Sequence, residues 1–89
     1  MALPDMTKKR NQVSTLDLHG YTLHDAWKVF DNFIEEEAQN RDRKYSIVIT
    51  GNGIIKEELP RWCDKYSFVR EVSQLERGAG FCIYFYRER

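Results

Sequence analysis

The chain has 89 residues, 42% of them apolar and 13% aromatic, with fourteen basic and fourteen acidic side chains and no net charge. That length holds one domain with one core, and the apolar content excludes a disordered chain. The balanced charge excludes a histone-like binder acting through bulk positive charge, so any nucleic-acid contact must come from a local patch.

Residues 1–12 are polar, contain Pro4 and the triplet Lys8-Lys9-Arg10, and show no hydrophobic period. They read as a flexible arm ahead of a domain spanning 13–89. No hydrophobic stretch follows the basic triplet, so a secretory signal is not expected. No apolar run approaches the roughly 18 residues of a membrane span. Cys63 and Cys82 lie in apolar segments without C-x-x-C spacing, which reads as two buried, reduced thiols in a cytoplasmic protein.

From Val13 to His19 the chain alternates, with Leu16 and Leu18 on one side and Thr15, Asp17 and His19 on the other, the pattern of a short strand. Gly20 breaks it. Thr22 then caps a helix, with Asp25 three residues on in a capping-box-like arrangement. Leu23, Ala26, Trp27, Phe30, Phe33, Ile34 and Ala38 recur at helical spacing as one apolar stripe. The basic residues among Arg41-Asp42-Arg43-Lys44 suit the negative end of the helix dipole.

Tyr45 to Ile49 predicts a second strand, buried on both faces. Thr50-Gly51-Asn52-Gly53 predicts a tight turn. Ile55, Leu59, Trp62 and Tyr66 again follow helical spacing, but Pro60 lacks an N–H and clashes with the preceding turn. The expectation is an irregular turn over 54–59 and a regular helix starting at Pro60, where proline is welcome. Val69 to Leu75 predicts an edge strand, Arg77-Gly78-Ala79-Gly80 a turn, and Phe81 to Tyr86 an aromatic last strand, with Tyr84 and Tyr86 packed under the helices beside Trp27 and Trp62. The order β-α-β-α-β-β, with the first two strands parallel and the last two a hairpin, gives a two-layer α/β sandwich: a four-stranded mixed sheet and two helices.

Two groups carry chemistry. Asp17 and His19 are two apart on a strand, so they project from one face roughly 7 Å apart. His19 stands at the carboxyl end of that strand, where α/β sheets bind ligands, and an imidazole with an ordinary pKa of about 6.5 exchanges protons at neutral pH. Spacing alone favours the plainer reading, a strand-end histidine with an exposed neighbour. The second group is Thr50-Gly51-Asn52-Gly53. Were the parallel strands adjacent, this loop would sit beside His19 and present backbone N–H groups and a helix start to an anion. Taken alone, the glycines favour an ordinary strand-to-helix turn, since neither a dinucleotide fingerprint nor a P-loop is complete.

Taken together, Leu16-Asp17-Leu18-His19-Gly20, a helix, a strand ending in Thr50-Gly51-Asn52-Gly53, then Leu59-Pro60-Arg61-Trp62 and Gly78-Ala79-Gly80 resemble the Smr (small MutS-related) domain from about Thr15 to Tyr86. The resemblance implies a fold similar to the C-terminal domain of a bacterial translation initiation factor. It also implies an endonuclease that nicks DNA or cleaves RNA, in some members on stalled ribosomes. It places Asp17 and His19 at the positions needed for cleavage, with Gly20 closing the motif and Thr50, Gly51 and Gly53 on the second signature, assigned to substrate binding together with Asn52. That signature is usually H-G-x-G. Thr50 therefore stands where a second imidazole, a candidate general acid, is commoner, and the connection from Gly53 to Trp62 is about two residues shorter than usual.

Lys56 is the best candidate to extend a phosphate path, with Lys8, Lys9, Arg10 and Arg77 as further basic residues and Glu57 and Glu58 opposing them. His24 and Asp25 do not converge on one ion with Asp17 and His19, so no metal site is expected. Arg77 to Tyr84 also resembles the octamer of RNA-recognition motifs. Its place in the strand order differs, and Ala79 stands where the first stacking aromatic belongs, although Tyr84 and Tyr86 would present rings to bases were their face open. The leading expectation is an endonuclease using His19 and Asp17, needing no cofactor on RNA and Mg²⁺ on DNA. Its expected partners are nucleic acid and the ribosome, with no membrane. The alternative is a non-catalytic nucleic-acid- or ribosome-binding module, and behind it a protein-interaction domain.

Overall fold

The structure is a computed structural model and describes residues 14–40, 43–76 and 79–86. Six elements follow one another: β1 (Ser14–Asp17), α1 (Leu23–Ala38), β2 (Tyr45–Ile49), α2 (Ile54–Cys63), β3 (Val69–Gln74) and β4 (Gly80–Phe85). The strands form one mixed sheet in the order β1-β2-β4-β3. β1 runs parallel to β2, and β4 is antiparallel to both β2 and β3. This is the expected two-layer sandwich, with β3 on an edge. The N-terminal arm, the basic triplet at 8–10, Val13, Arg77 and Gly78 lie outside the described residues.

One face of the sheet holds the core. Leu18, Val48, Phe81, Ile83 and Phe85 meet Ala26, Phe30 and Ile34 of α1 and Ile55, Leu59, Trp62 and Cys63 of α2. Helix α1 starts as expected: Thr22 is extended, and its hydroxyl oxygen accepts the Asp25 N–H at 3.1 Å. Leu23, placed in the apolar stripe by its spacing, is instead exposed. The last turn of α1 carries no basic residue. Arg43 is drawn to the Glu37 side chain rather than to the helix end, with Nε 2.7 Å from Oε1. The same Glu37 oxygen accepts the hydroxyl of fully buried Ser46 at 2.7 Å, which ties α1 to β2 and satisfies a polar group in the core. Trp27 and Trp62 stack at 5.7 Å across the helix seam, where the Tyr66 hydroxyl donates to the Asp31 carboxylate.

Three expectations need correction. Helix α2 begins at Ile54, immediately after Gly53, and Pro60 lies inside it. An interior proline costs about 3 kcal/mol. Burial of Ile55, Leu59 and Trp62 on the inner face, at about 1.5–3 kcal/mol each, exceeds that, and the proline ring sits on the exposed side. Second, β2 is buried on one face only: Ser46 and Val48 are covered, whereas Tyr45, Ile47 and Ile49 are half-buried. Third, Tyr84 is not under the helices. It pairs in register with Tyr45 on the other face, their rings 5.6 Å apart, and Tyr86 is exposed.

Close packing of β4 against β2 depends on Gly80. A Cβ there would stand 2.6 Å from the Val48 carbonyl oxygen, so no side chain fits without moving backbone. Cys63 and Cys82 are free and buried. Burial, helped by the neighbouring Asp64 charge, pushes the Cys63 thiol up to about 12.

Candidate active site

The parallel pairing of β1 with β2 brings two loops to one end of the sheet. Asp17 is the last residue of β1 and pairs with Ile49, the last of β2. The Leu18 N–H still donates to the Ile49 carbonyl at 2.7 Å, which anchors the chain one residue further. It then turns sharply. The Tyr21 N–H returns to the Leu18 carbonyl at 3.1 Å, and Gly20 takes a φ of +92°, a conformation that favours glycine.

His19 therefore lies just past the strand rather than on it. Its backbone N–H donates to Asp17 Oδ1 at 3.0 Å, the two-residue side-chain-to-backbone bond typical of aspartate at a turn. The same oxygen stands 3.9 Å from His19 Nδ1. The bend thus brings the pair closer than an extended strand would. Both side chains face solvent, His19 72% exposed and Asp17 63%. At 3.9 Å the contact becomes an ion pair only when the imidazole is protonated.

The second loop touches the first. Gly51 has a φ of +80°, and a Cβ there would lie 3.7 Å from His19 Cβ and 3.9 Å from Cδ2. Gly51 thus neighbours His19, with room for a Cβ at ordinary contact distance between them. Asn52 and Gly53 are exposed, and Gly53 precedes α2 without any side-chain cap. Of the first-turn N–H groups of α2, that of Lys56 donates to the Gly53 carbonyl at 3.1 Å, while those of Ile54 and Ile55 have no carbonyl one turn earlier in the helix and carry the positive end of its dipole. Lys56, half-buried, is in that first turn. Glu57 is exposed, while Glu58 leans toward Arg61 at 3.9 Å.

Thr50 is positioned differently from its neighbours in the motif. It is only 3% exposed, and its hydroxyl faces the carbonyls of Gly51 at 2.8 Å and Ala79 at 3.2 Å. The N–H groups of Thr50 and Gly51 donate to the same Ala79 carbonyl, at 2.8 and 3.2 Å. Thr50 thus fastens the loop to the start of β4, and its side chain does not line the cleft. Tyr21 on the first loop and Ile54, which opens α2 after the second, are 44% and 53% exposed and were not among the residues the motifs single out. Each directly follows a loop glycine, Gly20 or Gly53, and that unexpected apolar residue was the available signal. Among the described residues no group of three or more His, Cys, Asp and Glu gathers as a metal site.

A mixed sheet under two helices, with an acidic–histidine turn abutting a glycine turn at the carboxyl ends of two parallel strands, defines an α/β domain with a loop-built, solvent-open site. The family model of the Smr domain matches residues 16–82, and the chain belongs to that family, one of nuclease and nucleic-acid-binding domains. Its fold is similar to the Smr domain of Thermus thermophilus MutS2, with a TM-score of 0.72 and 18% identity over 83% of this chain and 99% of that one. No curated protein matches the sequence significantly. Among the described residues no helix is long and apolar enough to cross a membrane.

Proposed function

We propose that this domain is an endonuclease that breaks phosphodiester bonds with His19 as proton-transfer group and Asp17 as its electrostatic partner. The observation that carries the reading is the meeting of His19, the Asp17 carboxylate and the Gly51 backbone at one exposed strand end. With Nδ1 protonated and turned toward Asp17, His19 Nε2 takes the proton from an RNA 2′-hydroxyl. The 2′-oxygen attacks phosphorus, the bond to the 5′-oxygen breaks, and a 2′,3′-cyclic phosphate forms while solvent protonates the leaving oxygen. Asp17 stabilises the imidazolium. N–H groups around Gly53 and the first turn of α2, with Lys56, offset charge developing on the phosphoryl oxygens. Gly20 and Gly51 hold the two turns, and Thr50 fixes the second one in place.

On DNA no 2′-hydroxyl is available, so water must attack. A divalent ion such as Mg²⁺ would supply Lewis-acid activation, held by the exposed Asp17 carboxylate together with substrate phosphates. The expected setting is the cytoplasm, with nucleic acid, free or on the ribosome, as partner.

The inward turn of the Thr50 hydroxyl favours a second reading, a binding module without catalysis, because it leaves His19 without a second acid–base group from that loop. One experiment separates the two. Purified protein is incubated with end-labelled single-stranded RNA and with supercoiled plasmid, in Mg²⁺ or EDTA, beside His19→Ala and Asp17→Ala. RNA cutting that survives EDTA and disappears in both variants supports the acid–base mechanism, and nicking confined to Mg²⁺ supports metal-assisted DNA cleavage. Absence of any His19-dependent product overturns the nuclease and leaves the binding module.

A further inference from the structure

The sheet has a second face that no described element covers. Strand alternation and register place Tyr45, Ile47 and Ile49 of β2 there, beside Cys82 and Tyr84 of β4 and Asp17 of β1. At one end of this face the Tyr45 and Tyr84 rings lie 5.6 Å apart, tilted by 41°. A register shift between Val69 and Glu71 leaves Arg70 as the extra residue of β3. That bulge re-aims its side chain, and the guanidinium carbon sits 5.4 Å from the centre of the Tyr84 ring while Nη1 is 3.3 Å from Glu71. Lys44, Tyr45, Arg70 and Tyr84, with Phe85, line an open groove of about 570 Å³. At the other end of the same face stands Asp17.

We propose that this open face is a base-stacking platform for single-stranded nucleic acid, with Tyr45 and Tyr84 as the rings on which bases stack and Arg70 and Lys44 as contacts for the backbone phosphates. Several features of the face point to that occupant. Paired aromatic rings flanked by cations form the combination that binds single strands without reading sequence, because every base has a flat π-face and every nucleotide a phosphate. The groove and the candidate active site also lie at opposite ends of one sheet face. Four residue steps along β2, about 13 Å, separate the Tyr45 row from Ile49 and its neighbour Asp17. A strand laid across the sheet therefore connects the two. The inference rests on the nucleic-acid reading above and adds to it a preference for single strands, since the bases of a duplex cannot reach a flat sheet.

The test uses fluorescence anisotropy of the full chain with fluorescein-labelled 2′-O-methyl oligouridine, which resists attack from the 2′-position, alongside single-stranded DNA and a blunt duplex. Single strands of either sugar are expected to bind about tenfold or more tighter than the duplex. Tyr45→Ala and Tyr84→Ala should each weaken single-strand binding by about 5- to 100-fold, the range for loss of one stacked base. Tyr84→Phe should bind like the wild type, and Tyr84→Leu, which keeps apolar packing on Tyr45, should lose binding while retaining the wild-type melting temperature. Wild-type affinity in the alanine and leucine variants would overturn the platform. So would a dimer in sedimentation that Tyr84→Leu dissociates, because the face would then belong to a second copy. Tyrosine-dependent binding without any His19-dependent cleavage sustains the platform and removes only the nuclease.

Discussion

The two loops at the candidate-site end of the sheet begin alike and finish differently. Each follows a parallel strand, each turns at a glycine of positive φ, and each leads into a helix. In the first loop the helix start is closed from within: the Thr22 hydroxyl takes the Asp25 N–H, and Asp25 adds negative charge to the first turn. In the second, Gly53 supplies no side-chain cap. One loop has spent its helix terminus on stability and presents ionisable side chains, Asp17 and His19. The other leaves its helix start without a side-chain cap and presents no ionisable side chain between Thr50 and Gly53. Under the proposed function, that division gives proton transfer to the first loop and anion contact to the second.

The division can be broken most severely at His19. His19→Ala should lower single-stranded RNA cleavage by about 100-fold or more, the lower bound for loss of general acid–base catalysis, and leave thermal stability near wild type because the side chain is exposed. A residual rate within a few-fold of wild type would place proton transfer elsewhere. The loop glycines come next. Gly20→Ala and Gly51→Ala should each destabilise the fold by about 1–2 kcal/mol in urea unfolding, from positive φ alone, since neither added Cβ meets an atom closer than 3.7 Å. A loss far larger at Gly51 than at Gly20 would show that contact with His19, not backbone conformation, decides the cost.

The caps sharpen the contrast at smaller scale. Thr22→Ala should cost about 1 kcal/mol of stability without altering nucleic-acid affinity. Gly53→Asp should do the reverse. Its carboxylate caps α2, raising stability by a few tenths of a kcal/mol, while competing with phosphate and weakening binding of labelled RNA. A separate, pH-dependent effect lies at the far end of α2. The Cys63 pKa is raised on folding from its ordinary 9.0 to about 12, so its contribution to stability is complete below pH 9 and is lost as pH rises from there toward 12. Unfolding titrations of wild type and Cys63→Ser should converge across that interval. Alkylation of Cys63 at pH 8 should be slow in the native state.

Much of the fold was legible because local chemistry and global topology agree. Thr22, the stripe from Ala26 to Ile34 and the β-branched run at 45–49 each specify their element without distant information. The start of α2 was not legible, since the objection raised by Pro60 is local and the burial of Ile55, Leu59 and Trp62 that overrides it is tertiary. The open sheet face was the less favoured reading of Tyr84 for a related reason. An apolar run such as Tyr45–Ile49 states what a strand is able to bury, not whether a helix layer lies on both sides. In the site, the closeness of Asp17 to His19 followed from their spacing, although the turn that tightens it depends on Gly20. The role of Thr50 could not be read from its motif, because its hydroxyl is directed by Ala79, which is distant in sequence and reaches the loop only through β4.

The most direct test of the assignment is the chemical identity of the cut ends. Single-stranded RNA incubated with the protein in EDTA should yield fragments ending in 2′,3′-cyclic phosphate by mass spectrometry, and these should be absent with His19→Ala. The same fragments at the same rate from His19→Ala would contradict the assignment of proton transfer to the first loop.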